Sequence, residues 1–300
     1  MAEAGSTAGA ARALHLSQPS VSVAVKELEE ILGQPLFQRQ PAKGLVLTPF
    51  GQRKLPEARG LAAGLAAFEA AQGGAEPAGH VAFGYFTTLG PQYVPGILKR
   101  MARDYPRVTV QPVEADLNEM NQHLAAGRIE LALSYDVEMG TQIATETVAE
   151  LKPYALLPAG HRLAKAKSIA VAALAAEPFI LVDLPLSRDF LLSVFRAEGI
   201  EPRIAHRTRS LEMVLGLVAN GHGISVLVTR PASDLAYDGK KIARVALKDT
   251  RVRQRVVLAR PEAAPLTAPA EALARIIRAE LALAGSVQLL RSGQRPSHPR

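Results

Sequence analysis

The chain has 300 residues, a hydrophobic fraction of 48% and a mean hydropathy of +0.08, which suit a folded protein of two or three domains and exclude a disordered one. Its net charge of +7 is unevenly spread: residues 1–60 carry seven Lys/Arg against five Asp/Glu, residues 251–300 nine against three, so basicity alone says little about nucleic acid. Zero cysteines exclude disulfides, thiolate metal sites and thiol-based redox sensing. The seven histidines stand singly, without metal-ligand spacing, and neither a nucleophile–His–acid set nor a nucleotide-binding glycine fingerprint occurs. No metal, cofactor or catalytic site is expected. No apolar run is long enough to span a bilayer and the first residues lack a secretory pattern, so no membrane association and a cytoplasmic location are expected.

In chain order, Ala10, Ala11 and Leu14 mark a short helix, and Leu16 lies in a turn before Ser17-Gln-Pro-Ser-Val-Ser22. Ser17 suits an N-cap and Pro19 a first turn, where a missing N–H costs nothing. Val21, Ala24, Val25, Leu28, Ile31 and Leu32 then share one face at helical spacing. Two short helices joined by a tight turn, the second led by small polar residues, meet the needs of a helix-turn-helix. Gln18 can pair with base edges, Ser17, Ser20 and Ser22 permit close approach, Pro19 can touch a thymine methyl, and Lys26 can reach phosphate. Leu36-Phe37 reads as an anchor and the stretch to Thr48 as a short hairpin wing, with Arg39 and Lys43 placed for backbone phosphates. An ordinary amphipathic helix with a capping serine and a solvated polar face is the competing reading.

Next comes an alanine-rich helix whose stripe of Leu55, Ala58, Leu61, Ala62, Leu65 and Phe68 needs a partner. Gly60 and Gly64 would permit close helix approach, and Pro56 marks a bend. From His80 the pattern changes to short apolar runs alternating with helices, which predicts an α/β fold with largely parallel sheets. Strands are expected at 81–86, 108–113, 129–134, 153–157, 179–183, 203–207, 224–228, 242–247 and 255–259, and helices at about 92–104, 117–126, 188–197, 210–220 and 267–283. Two successive βα sets suggest two lobes facing a cleft, where ligands bind beyond the carboxyl ends of strands.

Three segments could line that cleft. Gly84-Tyr-Phe-Thr-Thr-Leu-Gly-Pro91 ends a strand and opens a helix with two hydroxyls, and Ser134-Tyr135 closes another strand. N-capping by Thr88 would explain the first without a ligand. In Asp183-Leu-Pro-Leu-Ser-Arg-Asp-Phe190, Ser187 would cap a helix carrying Arg188 in its first turn, a cation at the positive end of the dipole. Either Asp189 or a bound carboxylate could relieve it. Thr208, Ser210 and Asn220-Gly-His-Gly-Ile224 fall at later element ends.

The segments AARALHLSQPSVSVAVKELEEILGQPLFQR and LVLTPFG closely resemble the N-terminal winged helix-turn-helix of LysR-type transcriptional regulators, and the likeness extends to roughly residue 283. GYFTTLGPQYVP, LALSYD, ILVDLPLSRDF and LVANGHGIS resemble that family's effector-binding domain, related to type 2 periplasmic binding proteins. The resemblance implies an N-terminal all-α winged helix-turn-helix with a linker helix and a C-terminal α/β two-lobed domain. Its limits would be 1–50 for DNA binding, 51–77 for a linker and dimerisation helix, and 78–285 for the effector domain. The first lobe would span about 78–151 and 262–285, the second about 152–261, and 286–300 a disordered tail. It further implies double-stranded DNA and a small organic-acid effector as partners, a homodimer or homotetramer, and Thr87, Thr88, Ser134, Ser187, Arg188 and Thr208 as effector contacts. Two departures stand out. The family domain opens with a further helix, for which this sequence has only Met1 to Ala4 ahead of Gly5, so a shortened domain or a misassigned start is expected. Val23 occupies a place where many relatives carry a DNA-contacting polar residue. A cytoplasmic small-molecule-binding protein without DNA function is the alternative.

Overall fold

The computed structural model describes the chain except for Glu3, residues 41–43, residues 71–75, Ala232, Asp249, Ala264 and residues 292–300. Two compact units result, residues 1–72 and residues 73–300 apart from 263–265. Among the described residues no helix is long and apolar enough to cross a membrane.

The first unit opens with α1 (Thr7–Ala13), capped by Ser6, whose hydroxyl accepts from the Gly9 N–H at 3.0 Å. A tight turn leads to α2 (Gln18–Leu32), where Ser17 is the N-cap and Pro19 lies in the first turn; Gly33, at φ 71°, ends the helix in the left-handed conformation glycine tolerates. Next follow β1 (Phe37–Gln40) and β2 (Gly44–Leu47), an antiparallel wing with Phe37 opposite Leu47. Side chains rather than a core tie these pieces together. Glu29 Oε1 accepts the backbone N–H groups of Leu36 and Phe37 at 2.7 and 3.0 Å. The Thr48 hydroxyl donates to the Pro35 carbonyl at 2.7 Å and accepts from the Gly51 N–H at 2.9 Å, capping α3 (Pro49–Ala70). Gly51 is obligatory, because a Cβ there would stand 2.1 Å from the Leu36 carbonyl oxygen.

Only part of the apolar face expected on α2 is covered. Val21 is buried and Val25 and Leu32 half-buried, but Leu28 is 43% and Ile31 81% exposed. The α1–α2 contact buries Val21, whereas Leu28 and Ile31, with Leu14 and Leu16, remain open. On α3, Leu61 and Leu65 are likewise exposed, while Pro56, Gly60, Gly64 and Phe68 lie outside the described side chains.

The second unit has two lobes. The first holds β3 (Gly79–Phe86), α4 (Gly90–Asp104), β4 (Val108–Ala115), α5 (Leu117–Ala125), β5 (Leu131–Tyr135) and β6 (Ile143–Leu151). The second holds β7 (Tyr154–Pro158), β8 (Ser168–Ile169), β9 (Phe179–Val182), α6 (Ser187–Arg196), β10 (Ile204–Thr208), α7 (Leu211–Ala219), β11 (Ser225–Leu227) and β12 (Ile242–Leu247). The chain then returns through β13 (Gln254–Pro261) and α8 (Ala268–Arg291) to the first lobe. The five-stranded first sheet runs β4-β3-β5-β13-β6, parallel at β4, β3 and β5 and antiparallel on both sides of β13. In the second lobe β11-β7-β12-β8 form a four-stranded sheet and β10-β9 a parallel pair. The pair is joined to β11 by a bridge between Phe179 and Ile224. That junction needs Gly223, at φ 150°, where a Cβ would lie 2.3 Å from the Pro178 carbonyl oxygen.

Three expectations are corrected. The sheets are mixed rather than largely parallel, because β13 returns antiparallel to its neighbours. The strand expected at 255–259 belongs to the first lobe and not to a second lobe extending to 261: its pairing with β5 places the return crossing before Gln254. Finally, α8 continues six residues into the stretch expected as a tail from 286; residues 292–300 lie outside the described set. One apolar cluster runs from Val81 to Leu281 through both lobes, and a smaller one lies under α5 around Met120, Leu124, Ile129 and Val257.

Candidate functional site

Two surfaces bring sequence-predicted residues together. On the first unit, Ser17, Gln18, Pro19, Ser20 and Ser22 are all exposed in the opening turns of α2. The Ser17 hydroxyl accepts from the Ser20 N–H at 3.2 Å and meets the Ser20 hydroxyl at 2.7 Å. Gln18 Nε2 donates to Thr7 Oγ1 at 3.3 Å, which orients the amide at the helix tip. Unused backbone donors and the positive dipole end make this tip a fit for phosphate. Lys26 is exposed one turn on, paired with Glu30 at 3.7 Å, and Arg39 is exposed on the wing. Val23, next to Ser22, is 54% exposed. Lys43 lies outside the described residues.

The second surface is the cleft between the lobes. Its first-lobe lip is built from the carboxyl ends of β3, β4 and β5. The Thr87 hydroxyl donates to Glu114, and Thr88 Oγ1 lies 3.3 Å from the Tyr135 hydroxyl. Thr88 is not the cap of α4, which begins behind Leu89 with no side-chain cap. Tyr135 reaches across to Thr229 Oγ1 at 2.9 Å, and the Tyr154 hydroxyl donates to the Thr229 carbonyl at 2.8 Å. Burial pushes the Tyr135 hydroxyl up to about 12, against the pull of its Thr229 and Thr88 bonds, and burial raises Tyr154 as well. Both phenols stay protonated, and Tyr154 is the donor to Thr229. Ser134 is fully buried and its hydroxyl has no partner among the described residues.

On the second-lobe lip, Thr208 ends β10 and its hydroxyl accepts from the Ser210 N–H at 3.2 Å. Ser187 is the first residue of α6 rather than its cap. Leu186 holds that place at φ 62°, ψ −40°, inside a tight turn closed by the Ser187 N–H to the Pro185 carbonyl at 2.7 Å. This strained γ-turn carries Arg188 back to Asp183, 2.9 Å away, with Asp189 at 4.0 Å. Asp183 is therefore the principal relief for Arg188, not the Asp189 considered from sequence. Asp183 also takes Arg207 at 3.5 Å; the Arg188 hydrogen bond, ahead of the remaining charges, holds its carboxyl below the usual range.

Sequence reasoning missed two cations. Arg230, half-buried, sits with its guanidinium 4.7 Å over the Tyr154 ring and has no carboxylate partner among the described residues. Burial lowers its proton affinity, and nearby Arg244 lowers it further. Arg209, next to Thr208, reaches Asp116 on the opposite lobe at 3.2 Å. Asp116 heads a capping box with Glu119 at the start of α5, so one carboxylate serves both its own helix and the other lobe.

Residues 1–52 match the bacterial regulatory helix-turn-helix protein, lysR family, and residues 74–282 the LysR substrate binding domain. The HTH-type transcriptional regulator TdfR of Cupriavidus pinatubonensis (strain JMP 134 / LMG 1197) is 30% identical over 239 residues, 77% of this chain and 79% of that protein. The crystal structure of HinK, a LysR family transcriptional regulator from Pseudomonas aeruginosa, is similar with a TM-score of 0.66 at 38% identity, covering 93% of this chain and 94% of that one. A full-length OxyR variant from the same organism gives a TM-score of 0.73 at 25% identity, over 91% of this chain and 92% of that one.

Proposed function

The chain belongs to the LysR family of bacterial helix-turn-helix transcriptional regulators, and from that premise we propose that a small carboxylate-bearing effector, bound between the lobes of its second unit, modulates DNA binding or activation by its first. LysR regulators bind DNA and small-molecule effectors and oligomerise; the family is not one of enzymes. The observation that carries the acid is Arg230. A half-buried cation with only an aromatic face for company is costly to leave without an anion, and a carboxylate supplies one in bidentate fashion. Thr87, Thr88, Ser134, Ser187 and Thr208 offer hydroxyls for the rest of such a ligand, and Arg188 could exchange Asp183 for it.

In the first unit, Ser17, Gln18, Pro19, Ser20 and Ser22 would meet base edges in a major groove. Lys26, Arg39 and Lys43 would hold backbone phosphates. The exposed Leu61 and Leu65 of α3 suit pairing with a second copy, giving a homodimer or homotetramer acting in the cytoplasm on an inverted-repeat site.

A thermal-shift screen of small carboxylates tests the acid. A binder at ~100 times its dissociation constant stabilises by about 2.7 kcal/mol. Arg230→Gln should lose that shift, and footprinting on a promoter fragment should change with the same compound. A carboxylate that stabilises the Arg230→Gln protein as it does the wild type would remove this anchor from the reading.

A further inference from the structure

Polar contacts join the two lobes at the middle strand and at one edge of the first-lobe sheet. Near the crossings, Tyr135 on β5 meets Thr229 at 2.9 Å. At the far end, Asp116 Oδ2 meets Arg209 Nη2 at 3.2 Å. Asp116 follows β4, the edge strand most distant from β6, through which the chain leaves the first lobe. Arg209 follows β10, the edge strand of the second lobe three positions from β7, where the chain arrives. Among the described residues this is the one ion pair whose partners stand in different lobes. We propose that Asp116–Arg209 is a latch that sets how far the cleft opens before any ligand arrives.

Rotation about the crossings separates the far edges most and the near residues least, so a contact at the far edges opposes opening along the longest arm. The two partners are also unequally prepared. The Asp116 side chain is only 10% exposed. Its Oδ1 accepts from the Asn118 and Glu119 N–H groups at 3.0 Å each, while Glu119 accepts from the Asp116 N–H at 3.1 Å. That capping box fixes the carboxylate at the start of α5 and leaves Oδ2 facing the other lobe. Arg209, 68% exposed, is the moving arm. Arg188 and Arg207 already share Asp183, whereas among the described carboxylates Arg209 has Asp116 alone. A pair with one solvated partner is a weak bond, which suits a catch that a ligand must be able to release. Removing it should change the open-to-closed ratio by about two- to fivefold. The inference depends on the two-lobed fold and not on the ligand's being an acid.

The absence of cysteine allows a direct reading in the full chain. Gln122→Cys on α5 and Met213→Cys on α7, both exposed, carry spin labels in opposite lobes, with labelled protein diluted in unlabelled chain so that only intramolecular distances are read. Asp116→Asn keeps the cap, since Asn caps as well as Asp, and should shift the distance distribution toward the longer component, as should Arg209→Gln. Arg209→Glu should shift it further, and adding Asp116→Asn to Arg209→Glu should reverse direction and shorten it. Distributions unaltered by the single substitutions, or a double variant more open than Arg209→Glu alone, would overturn the latch. Wild-type stabilisation by small carboxylates, read separately, bears on the effector and leaves this outcome untouched.

Discussion

Residues 1–72 and the two-lobed unit spend their apolar residues differently. In the first, a cluster of three buried side chains, Ala10, Ala11 and Val21, holds the helix pair together. In the second, a continuous cluster threads both lobes from Val81 to Leu281. The small unit compensates with side chains that bind backbone: Ser6 and Ser17 cap helices, Glu29 holds the turn before the wing, and Thr48 ties that turn to α3. The comparison teaches that similar-looking amphipathic helices fail for different reasons in the two places. Packing decides stability in the second unit, whereas hydrogen bonds to fixed backbone donors decide it in the first.

The largest effect should come from the packed unit. Phe195 on α6 is fully buried and meets Phe179 edge-to-face at 5.0 Å between ring centroids. Phe195→Ala deletes that contact and leaves a cavity, at a cost of about 3–5 kcal/mol, read as a lower denaturant midpoint of the effector unit. A loss smaller than that of an α2 substitution would overturn this difference between the units. In the first unit the corresponding lever is Glu29. Glu29→Ala leaves the N–H groups of Leu36 and Phe37 without their acceptor, which should cost about 1–3 kcal/mol and loosen the wing. Amide exchange at Leu36 and Phe37 should accelerate while exchange in β5 stays unchanged.

The same contrast governs what could be read from sequence. Caps and breakers act through neighbours three residues away, so Ser17 and Pro19 were legible without any fold; the Asp116–Glu119 box carries the same kind of local signal but went unread. Apolar runs marked most strands, but β6 and the two-residue β8 were missed: IATETVAEL is broken by polar residues at 145–147 and 150 along a half-solvated edge and has no continuous apolar run. The run at 255–259 announced a buried strand without saying which sheet would bury it. Candidate residues could be named from sequence where a hydroxyl closes an element, as with Thr88, Ser134 and Thr208. They could not where the partner is remote in sequence. Nothing near Arg209 points to Asp116, 93 residues earlier, and nothing near Arg230 announces the ring of Tyr154 beneath it. The strained turn at Leu186, which redirects Arg188 to Asp183, lies in a stretch that reads as an ordinary helix start.

Acid titration sharpens the comparison at a smaller scale. Asp183 is held below its ordinary value mainly by Arg188, and Glu146 likewise by Arg278. A carboxyl depressed in the folded state contributes stability that is present above its unfolded value and lost as pH falls through the folded one. Both groups are partly solvated, so each contribution is modest. Unfolding of the effector unit should therefore ease as pH drops below about 4, and Asp183→Asn should flatten part of that slope. A slope identical in the variant would show that Asp183 binds its arginines no better folded than unfolded.

The smallest effect expected is also the one most at odds with a plain reading of hydrophobic pattern. Ile31 occupies a helical position that the periodicity of α2 assigns to a core, yet it is 81% exposed. Burial, not pattern, sets the cost of removing an apolar side chain, so Ile31→Gln should change the stability of the first unit by no more than about 0.5 kcal/mol. Val21→Ala, one buried position on the same stripe, should cost more than that. A partner of α2 in solution would reverse the order: covering Ile31 would make Ile31→Gln the more damaging of the two, and the loss would grow with protein concentration if that partner were a second copy of the chain. Measuring both variants at two concentrations thus separates a face that is simply solvated from one that is covered on assembly.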